Sequence, residues 1–448
     1  MKGLQSLVGG VVRYPGDREF ESTSAAFNKR YAGVRPAAVL SVETVTDIAH
    51  AIDWSRQEQV PLVARGGGHS YAGNSVNTGL VLDLRGLDEV RIDESSGLVT
   101  VGGGTRMGKL YAELERYDLA VPLGNSNEVG IGGLVLGGGV SAVSRAFGLT
   151  CDALVETDIV LADGRVLTCN ASENADLFWA CRGGGGGNFG VNTSFTFQAR
   201  LPRPSATCLL RWRWDDAREV VVRMQEIMHD APDEFAARIG VTRVAGSEGV
   251  VSVVGQHLGS ADELREMLAP VLTVATPERC DLADRSYWEA KEILHHETSG
   301  DPFAVRTRGT PKPLPEAGVE RFLAALERWP GSTNPDGAGV ALFTWGGKIN
   351  RVPVADTAFA HRDLLFLVSM DTSWSTGDSP HTVSANLEWL DDLHTEMGEF
   401  AGDAAYVNFT DPALRDWRSG YYGANHPRLA QIKRRYDPDR LFDFGQAV

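Results

Sequence analysis

Short apolar runs alternate with amphipathic segments through residues 36–200. The run Ala38-Val39-Leu40-Ser41-Val42 predicts a strand, and Thr46 is placed to cap a helix that carries Ile48, Ala51 and Ile52 on one face. The same patterns predict strands near 61–65, 79–84 and 98–102 and helices near 107–116 and 175–181. Strands and helices therefore alternate in this part, with glycine-rich loops at their ends.

The pattern changes after Leu201-Pro202-Arg203-Pro204. Alternating apolar and polar residues predict strands over 209–214 and 250–254, while amphipathic stretches predict helices near 216–229, 261–269, 315–329 and 381–397. Seven of the ten tryptophans fall in this region, and we expect them to serve the core: Trp212, Trp214, Trp288, Trp329, Trp345, Trp374 and Trp389. The region is predicted to form an antiparallel sheet covered on one side by helices.

Length and charge restrict the classes of function. A chain of 448 residues can form two or three domains with a large buried core. Its net charge of −16 and the lack of a long Lys/Arg run disfavour nucleic acids and anionic membranes as partners. The short cluster Lys433-Arg434-Arg435 is interpreted as a solvated helix face. The expected partners are therefore small molecules. The sequence does not indicate whether the protein is a monomer or an oligomer.

The cysteines and the hydropathy of the chain indicate in which cellular compartment the protein is expected. The five cysteines contain no C-x-x-C pair, which supports neither a zinc site nor a disulfide framework. We expect reduced thiols, no signal peptide, no membrane span and a cytoplasmic location. The adjacent His295 and His296 lack a third metal ligand in the sequence pattern, so no metal site is predicted.

Two nucleotide-binding patterns are present and both fail on context. Residues 185–190 satisfy G-x-G-x-x-G, but a helix is predicted before them and a strand after them, the reverse of a dinucleotide-binding unit. Residues 103–109 satisfy G-x-x-x-x-G-K, but Leu110 stands where a phosphate loop needs a hydroxyl for Mg²⁺. A tight turn between strand and helix explains the second pattern better than a nucleotide triphosphatase does.

The most informative segment is Arg65-Gly66-Gly67-Gly68-His69-Ser70-Tyr71-Ala72-Gly73. Consecutive glycines allow backbone amides to turn toward an anionic group, and the histidine that follows is a potential nucleophile, ligand or proton carrier. Local chemistry alone leaves a tight turn with a surface histidine equally open. Further glycine-rich segments cover 130–139 and 183–190, and Tyr406-Val407-Asn408 begins a distinctive C-terminal stretch that continues through Tyr421-Tyr422-Gly423 and Tyr436-Asp437-Pro438.

Taken together, these segments resemble the berberine bridge enzyme-like FAD-linked oxidases of the vanillyl-alcohol oxidase group. The resemblance implies an α+β fold with a two-part FAD-binding domain of the PCMH type. We accordingly expect an FAD-binding domain over 1–203, a substrate domain over 204–405, and a segment over 406–448 that completes the FAD domain.

The resemblance also implies the roles of particular residues. His69 matches the histidine that bonds covalently to FAD, whereas Ser126 stands where many members have a second attaching cysteine, so a single link is expected. Val129 matches the position that controls access of oxygen to the flavin, and valine there is typical of oxidases. The expected FAD-binding residues are His69, Arg65, Gly66, Gly67, Gly68, Ser70, Ser126, Val129, Gly130, Gly133, Gly137, Gly138, Gly190, Val191, Tyr406 and Asn408.

The implied reaction is a two-electron oxidation of a hydroxylated or amine-bearing small molecule, with hydride transfer to flavin N5 and reduction of O2 to H2O2. A secondary-metabolite intermediate is the favoured substrate, and a carbohydrate is less favoured because of the single link. For the base, Tyr406 is the first candidate, with a buried structural tyrosine as the alternative. Asp371 is the second, with a turn-capping carboxylate as the alternative. A dehydrogenase with another electron acceptor and a non-catalytic flavin carrier also stay open.

Overall fold

A computed structural model describes residues 3–296 and 299–448. Within these ranges the strands are β1 (Val11–Arg13), β2 (Ala38–Ser41), β3 (Leu62–Arg65), β4 (Leu80–Asp83), β5 (Val90–Asp93), β6 (Leu98–Gly102), β7 (Leu154–Val160), β8 (Val166–Asn170), β9 (Val191–Gln198), β10 (Ser205–Arg213), β11 (Phe235–Arg243), β12 (Val250–His257), β13 (Arg279–Arg285), β14 (Phe303–Thr310), β15 (Ala338–Thr344) and β16 (Phe366–Ser373).

The α-helices of the same ranges are α1 (Phe20–Ser24), α2 (Val45–Glu58), α3 (Met107–Arg116), α4 (Ile131–Leu136), α5 (Ser144–Phe147), α6 (Ala175–Ala180), α7 (Ala217–Asp230), α8 (Ala261–Val274), α9 (Tyr287–Ile293), α10 (Glu316–Glu327), α11 (Lys348–Arg351), α12 (Pro380–Met397), α13 (Trp417–Tyr422) and α14 (His426–Tyr436).

Two smaller sheets form from the first two hundred residues. One has the order β1-β2-β4-β3, in which β2, β4 and β3 are parallel and β1 is antiparallel. Helix α2 packs on it through Ile48 and Ile52, which share a buried cluster with Leu40 and Leu82. The other sheet is antiparallel with the order β5-β6-β9-β7-β8.

The predicted N-terminal cap of helix α2 was wrong by two residues. The capping residue is Thr44, whose side chain accepts from the amide of Asp47 in a complete capping box.

The third sheet is antiparallel and has seven strands in the order β13-β10-β12-β11-β15-β16-β14. Alternate residues on its inner strands contribute Ile239, Val340 and Val368 to one buried cluster together with Leu264 of α8 and Leu390 of α12. Helices α7, α8, α10 and α12 all contribute residues to this cluster. The predicted antiparallel sheet with helices on one side is confirmed, and so is the α+β class.

The C-terminal segment returns to the first part of the chain. Tyr406, Tyr421 and Leu429 belong to the same buried cluster as Val99 and Phe195 of the five-stranded sheet. The domain boundaries after 203 and 405 stay predictions. Over residues 3–296 and 299–448, no helix has the length and apolar character needed to span a lipid bilayer.

Candidate active site

A cavity of about 260 Å³ opens beside the loop that follows β3. Its wall is mostly main chain and small side chains, contributed by segments that lie far apart in sequence: residues 62–71, 129–136, 185–192, 407–410 and 442–446. Most of the predicted FAD-binding residues lie on this wall, namely Gly66, Gly67, Gly68, His69, Ser70, Val129, Gly130, Gly133, Gly190, Val191 and Asn408.

Two glycine loops lie against each other at the cavity wall. A Cβ added to Gly67 would lie 2.2 Å from the amide nitrogen of Gly130, and a Cβ added to Gly130 would lie 2.1 Å from that of Gly67. Gly68 has a φ of +81°, which a glycine adopts without strain. The two backbones therefore touch directly here, because neither of the two residues in contact has a side chain.

Other glycines of the wall face open space. A Cβ added to Gly133 would have no heavy atom within 4 Å, and one added to Gly186 would meet its nearest neighbour at 3.8 Å. Packing within the protein does not require glycine at either position. Side-chain-free walls with room before them suit a large planar or phosphate-bearing group, so the residues present fit the FAD that the sequence implies.

Arg65 lies behind the glycine loop, outside the cavity lining. Its guanidinium is 3% exposed and donates to the carbonyls of Ser75 and Ser24, each at 3.1 Å, and to that of Thr23. Burial lowers the pKa of Arg65 to about 10. The hydroxyl of Ser75 donates to the carbonyl of Gly68 at 3.2 Å. Arg65 thus positions the loop from behind, where the sequence predicted a direct cofactor contact.

His69 and Tyr71 occupy one end of the cavity among aromatic rings. The imidazole stacks on Phe27 with a centroid distance of 3.6 Å and an interplanar angle of 23°. Tyr71 stacks on Phe409 at 5.4 Å and meets the edge of Phe303 at 4.9 Å. Phe303 belongs to β14, so this end of the cavity adjoins the seven-stranded sheet.

Three further predicted FAD-binding residues do not reach the cavity lining. Gly137 and Gly138 are needed for packing, because an added Cβ would lie 2.0 Å from Oδ1 of Asn408 or 3.0 Å from the ring of Phe359. Ser126 lies on the loop before Val129, and it too is outside the lining. Asn408 holds the wall itself, since its amide donates to the carbonyl of Leu134 at 2.9 Å.

Tyr406 is buried away from the cavity. Its hydroxyl oxygen accepts from the amide of Gly139 at 2.9 Å and from Nδ2 of Asn408 at 3.0 Å, and the side chain is 2% exposed. Burial raises the pKa of the phenol well above its ordinary value, although the two donors oppose this. A phenol in this setting stays protonated near neutral pH and is not free to accept a proton, so the geometry favours the structural alternative over the predicted catalytic and FAD-binding roles.

Asp371 lies inside β16 rather than at a strand end, so the turn-capping alternative was wrong. Burial raises the pKa of its carboxyl to about 6, against the opposing effect of the Arg238 guanidinium. The same carboxylate adds to burial in raising the pKa of Tyr71 to about 12. Asp371 is therefore a partly buried carboxyl that interacts with a tyrosine of the cavity lining, and its pKa is raised above that of an ordinary aspartate.

Residues 407–410 and 442–446 form the C-terminal wall of the cavity. This wall depends on a buried ion pair that the sequence did not predict. Lys433 is 2% exposed and donates to Asp437 Oδ2 at 2.7 Å and to the carbonyls of Asn188 and Phe442, each at 2.6 Å. Asn188 and Phe442 both line the cavity. The interpretation of Lys433 as solvated was wrong, because it lies on the buried side of α14, whereas Arg434 is exposed.

The two rejected nucleotide patterns have structural explanations. Helix α6 precedes residues 185–190 and β9 follows them, as expected. In the other pattern, a Cβ on Gly103 would lie 2.3 Å from the carbonyl of Asn192, and one on Gly104 would lie 1.8 Å from that of Leu84. Lys109 pairs with Asp88 at 2.8 Å. Close backbone packing therefore accounts for these glycines.

Comparison with known proteins gives two family matches and several whole-length relatives. The "FAD binding domain" family matches residues 36–170, and the "Berberine and berberine like" family matches residues 405–448. The uncharacterized FAD-linked oxidoreductase YgaK of Bacillus subtilis is 33% identical over 421 residues, which cover 92% of this chain and 91% of that protein. YvdP of the same organism, also an uncharacterized FAD-linked oxidoreductase, is 31% identical over 453 residues, with 100% and 99% covered.

Among solved structures, BBE-like 1 of Physcomitrella patens superposes with a TM-score of 0.90 at 27% identity, covering 99% of this chain and 98% of that chain. Because the match covers 99% of this chain, it takes in the segments that form the seven-stranded sheet as well as those that line the cavity.

Proposed function

This chain belongs to the berberine bridge enzyme-like FAD-linked oxidoreductases, and from that premise we propose that it oxidises a hydroxylated or amine-bearing small molecule and passes the electrons to O2. One observation carries the proposal. The end of the cavity at His69 and Tyr71 adjoins the face of the seven-stranded sheet on which Asp371 lies. The glycine-walled cavity that fits FAD thus adjoins the carboxylate that could accept a proton from the substrate.

We propose that FAD is held covalently by His69 alone. His69 lies at the end of the cavity, and Ser126 has no thiol with which to form a second link. The glycine walls at 66–68 and 130–133 would hold the phosphate arm through main-chain groups. When bound, FAD supplies the hydride acceptor of the reaction.

Asp371 is the proposed base. It would take the proton from the hydroxyl or amine as the adjacent carbon is oxidised. A carboxyl with a pKa near 6 is largely ionised at neutral pH, and it is a stronger base than an ordinary aspartate. The buried Tyr406 would then act as a structural residue that fixes the Gly139 backbone.

Oxygen is the proposed acceptor because Val129 lines the cavity with a small apolar side chain. An intermediate of secondary metabolism stays the favoured substrate class, and a carbohydrate the less favoured one. The alternative acceptor is a protein or quinone, which would make the enzyme a dehydrogenase.

The test begins with purified, flavin-loaded enzyme and a panel of hydroxylated and amine-bearing aromatic compounds and sugars. Anaerobic loss of flavin absorbance identifies substrates, and an oxygen electrode then measures O2 uptake with the same compounds. Bleaching with stoichiometric O2 consumption supports an oxidase. Bleaching without O2 consumption shows a dehydrogenase, and retention of flavin absorbance with every compound class contradicts the proposal.

A further inference from the structure

Arg238 and Asp371 lie on the same face of the seven-stranded sheet. Asp371 of β16 is opposite Gly339 of β15, and Gly339 is opposite Thr242 of β11. Side chains alternate along a strand, so Thr242, Gly240 and Arg238 all lie on the face of Asp371. The opposite face carries the apolar residues that pack against the helices.

The Arg238 side chain runs along its strand toward the end of the sheet where Asp371 lies. A Cβ added to Gly240 would lie only 2.8 Å from Nη1 of Arg238, so the guanidinium crosses the space above this glycine. On the neighbouring strand, a Cβ added to Gly339 would lie 3.7 Å from Oδ1 of Asp371. Glycine is unfavourable inside strands, and these two mark where polar groups lie across the sheet.

No acceptor within the described ranges pairs with the Arg238 guanidinium. No carboxylate of these ranges lies within the 4.0 Å of an ion pair, although the charge of Asp371 acts on the guanidinium, and the guanidinium lies over the ring of Phe343 at 5.7 Å from its centroid. By contrast, Arg306 and Arg308 of β14 each pair with a carboxylate. The N–H groups of Arg238 are therefore available to a ligand.

Aromatic rings connect this guanidinium to the cavity. Phe343 meets Phe409 at 5.7 Å, and Phe409 stacks on Tyr71 at 5.4 Å. Phe409 and Tyr71 both line the cavity beside His69. A flat molecule lying against the exposed side of these rings would have one end near Asp371 and could reach Arg238 with another.

We propose that Arg238 binds a carboxylate of the substrate, so that the enzyme acts on an aromatic acid that also carries the oxidisable hydroxyl. The inference rests on the proposed function and names its substrate class. A guanidinium offers paired N–H donors that match the two oxygens of a carboxylate, and the aromatic rings would bury the hydrocarbon part. Arg238 thus determines specificity for the carboxylate, and Asp371 accepts the proton from the hydroxyl at the other end of the substrate.

The first experiment compares 4-(hydroxymethyl)benzoate with its methyl ester in the wild type, Arg238→Met and Arg243→Met. Methionine keeps an apolar stem. Arg243 is a half-buried arginine at the end of the same strand, where it lies over Trp214 and donates to the carbonyl of Glu248, so its replacement controls for loss of one charge. We expect the wild type to prefer the acid by about tenfold or more in kcat/KM, mainly through KM. Arg238→Met should lose this preference, and Arg243→Met should keep it.

The second experiment measures binding without turnover. Benzoate should raise the melting temperature of the flavin-loaded wild type and of Arg243→Met more than benzamide does, and this difference should vanish in Arg238→Met. Retention of the flavin spectrum in Arg238→Met checks its fold.

The two experiments separate the possible failures. If substrates are oxidised but Arg238→Met keeps the acid-to-ester ratio and the benzoate effect, the inference is overturned and the proposed function stands. If benzoate binding depends on Arg238 but no compound bleaches the flavin, the carboxylate site stands and the proposed function fails. Equal loss of both substrates with an unchanged benzoate effect would show that Arg238 serves Asp371 only, which also overturns the inference.

Discussion

Burial of the Asp371 carboxyl costs stability, and this carboxyl is the proposed base, so its replacement should affect stability and activity in opposite directions. Asp371→Asn is expected to lower kcat/KM by about a hundredfold or more, because the proton acceptor is lost. In the wild type, kcat/KM should rise with pH through a midpoint near the folded pKa of about 6 and level off above it. Steady-state rates across pH measure both effects, and an unchanged pH profile in Asp371→Asn would contradict the assignment.

The stability effect has a definite sign. The folded pKa of Asp371 is raised above the unfolded value, so the native state holds its proton more tightly and its free energy of unfolding falls as pH rises from about 4 to about 6. Asparagine carries no such penalty. Relative to the wild type, we expect Asp371→Asn to be more stable at neutral pH than near pH 4 by about 2 kcal/mol. Thermal denaturation at the two pH values measures the difference.

Covalent attachment is a second prediction at this scale. His69→Ala should release all FAD into the supernatant after acid precipitation, whereas Ser126→Ala should keep a yellow pellet with FAD mass on the peptide that contains His69. Peptide mass mapping reads both outcomes. FAD mass on any other peptide of His69→Ala would exclude the single link.

Single residues differed in how far the sequence revealed them. His69 follows three glycines directly, so its setting is a local signal that a motif carries. Arg238 gave no such signal, because its position near Asp371 depends on the pairing of β11, β15 and β16. Tyr406 shows a third case, since the motif gives its place in the chain but not the two hydrogen bonds that its hydroxyl accepts.

At the scale of elements, the two glycine loops offer a matched pair of substitutions. Gly130→Ala places a methyl group against the Gly67 backbone and should destabilise the fold by about 2 kcal/mol. Gly133→Ala lies within α4 and meets no atom, so the apoprotein should keep its stability to within about 1 kcal/mol. Its methyl group faces the cavity, however, so we expect reduced flavin content.

Melting temperature of the flavin-free protein and the ratio of flavin to protein absorbance distinguish the two glycine variants. Full flavin content in Gly133→Ala would show that the cofactor does not lie against this wall.

Strands β11 and β13 lack regular alternation, and the sequence did not reveal them. Strand β11 carries Arg238 and Gly240 on its site-facing side, and these interrupt the pattern of apolar residues. Strand β13 lies at the sheet edge and has charged residues on both faces, as an edge that avoids aggregation requires. Helices α3 and α12, by contrast, pack one apolar face on a core, and their predicted bounds agree with the structure to within one residue.

For the molecule as a whole, the ion pair of Lys433 and Asp437 holds the C-terminal wall to the rest of the cavity. Lys433→Met should cost about 3–5 kcal/mol, because it leaves a buried carboxylate without its cation. Flavin content should fall as well, since Asn188 and Phe442 lose their shared donor. The control is Arg434→Met, which alters an exposed neighbour. Chemical denaturation of the flavin-loaded proteins measures the cost, and equal midpoints for the two variants would contradict the prediction.

The order of the cavity segments along the chain has a consequence for biosynthesis. The wall joins residues 66–71, which are synthesised early, to residues 407–410 and 442–446, which are synthesised several hundred residues later. Domains tend to fold as units while the chain is being made, but this cavity stays open on one side until those later residues have been added. Flavin capture is therefore expected to follow their synthesis, and a nascent chain stalled before residue 400 should carry no bound flavin.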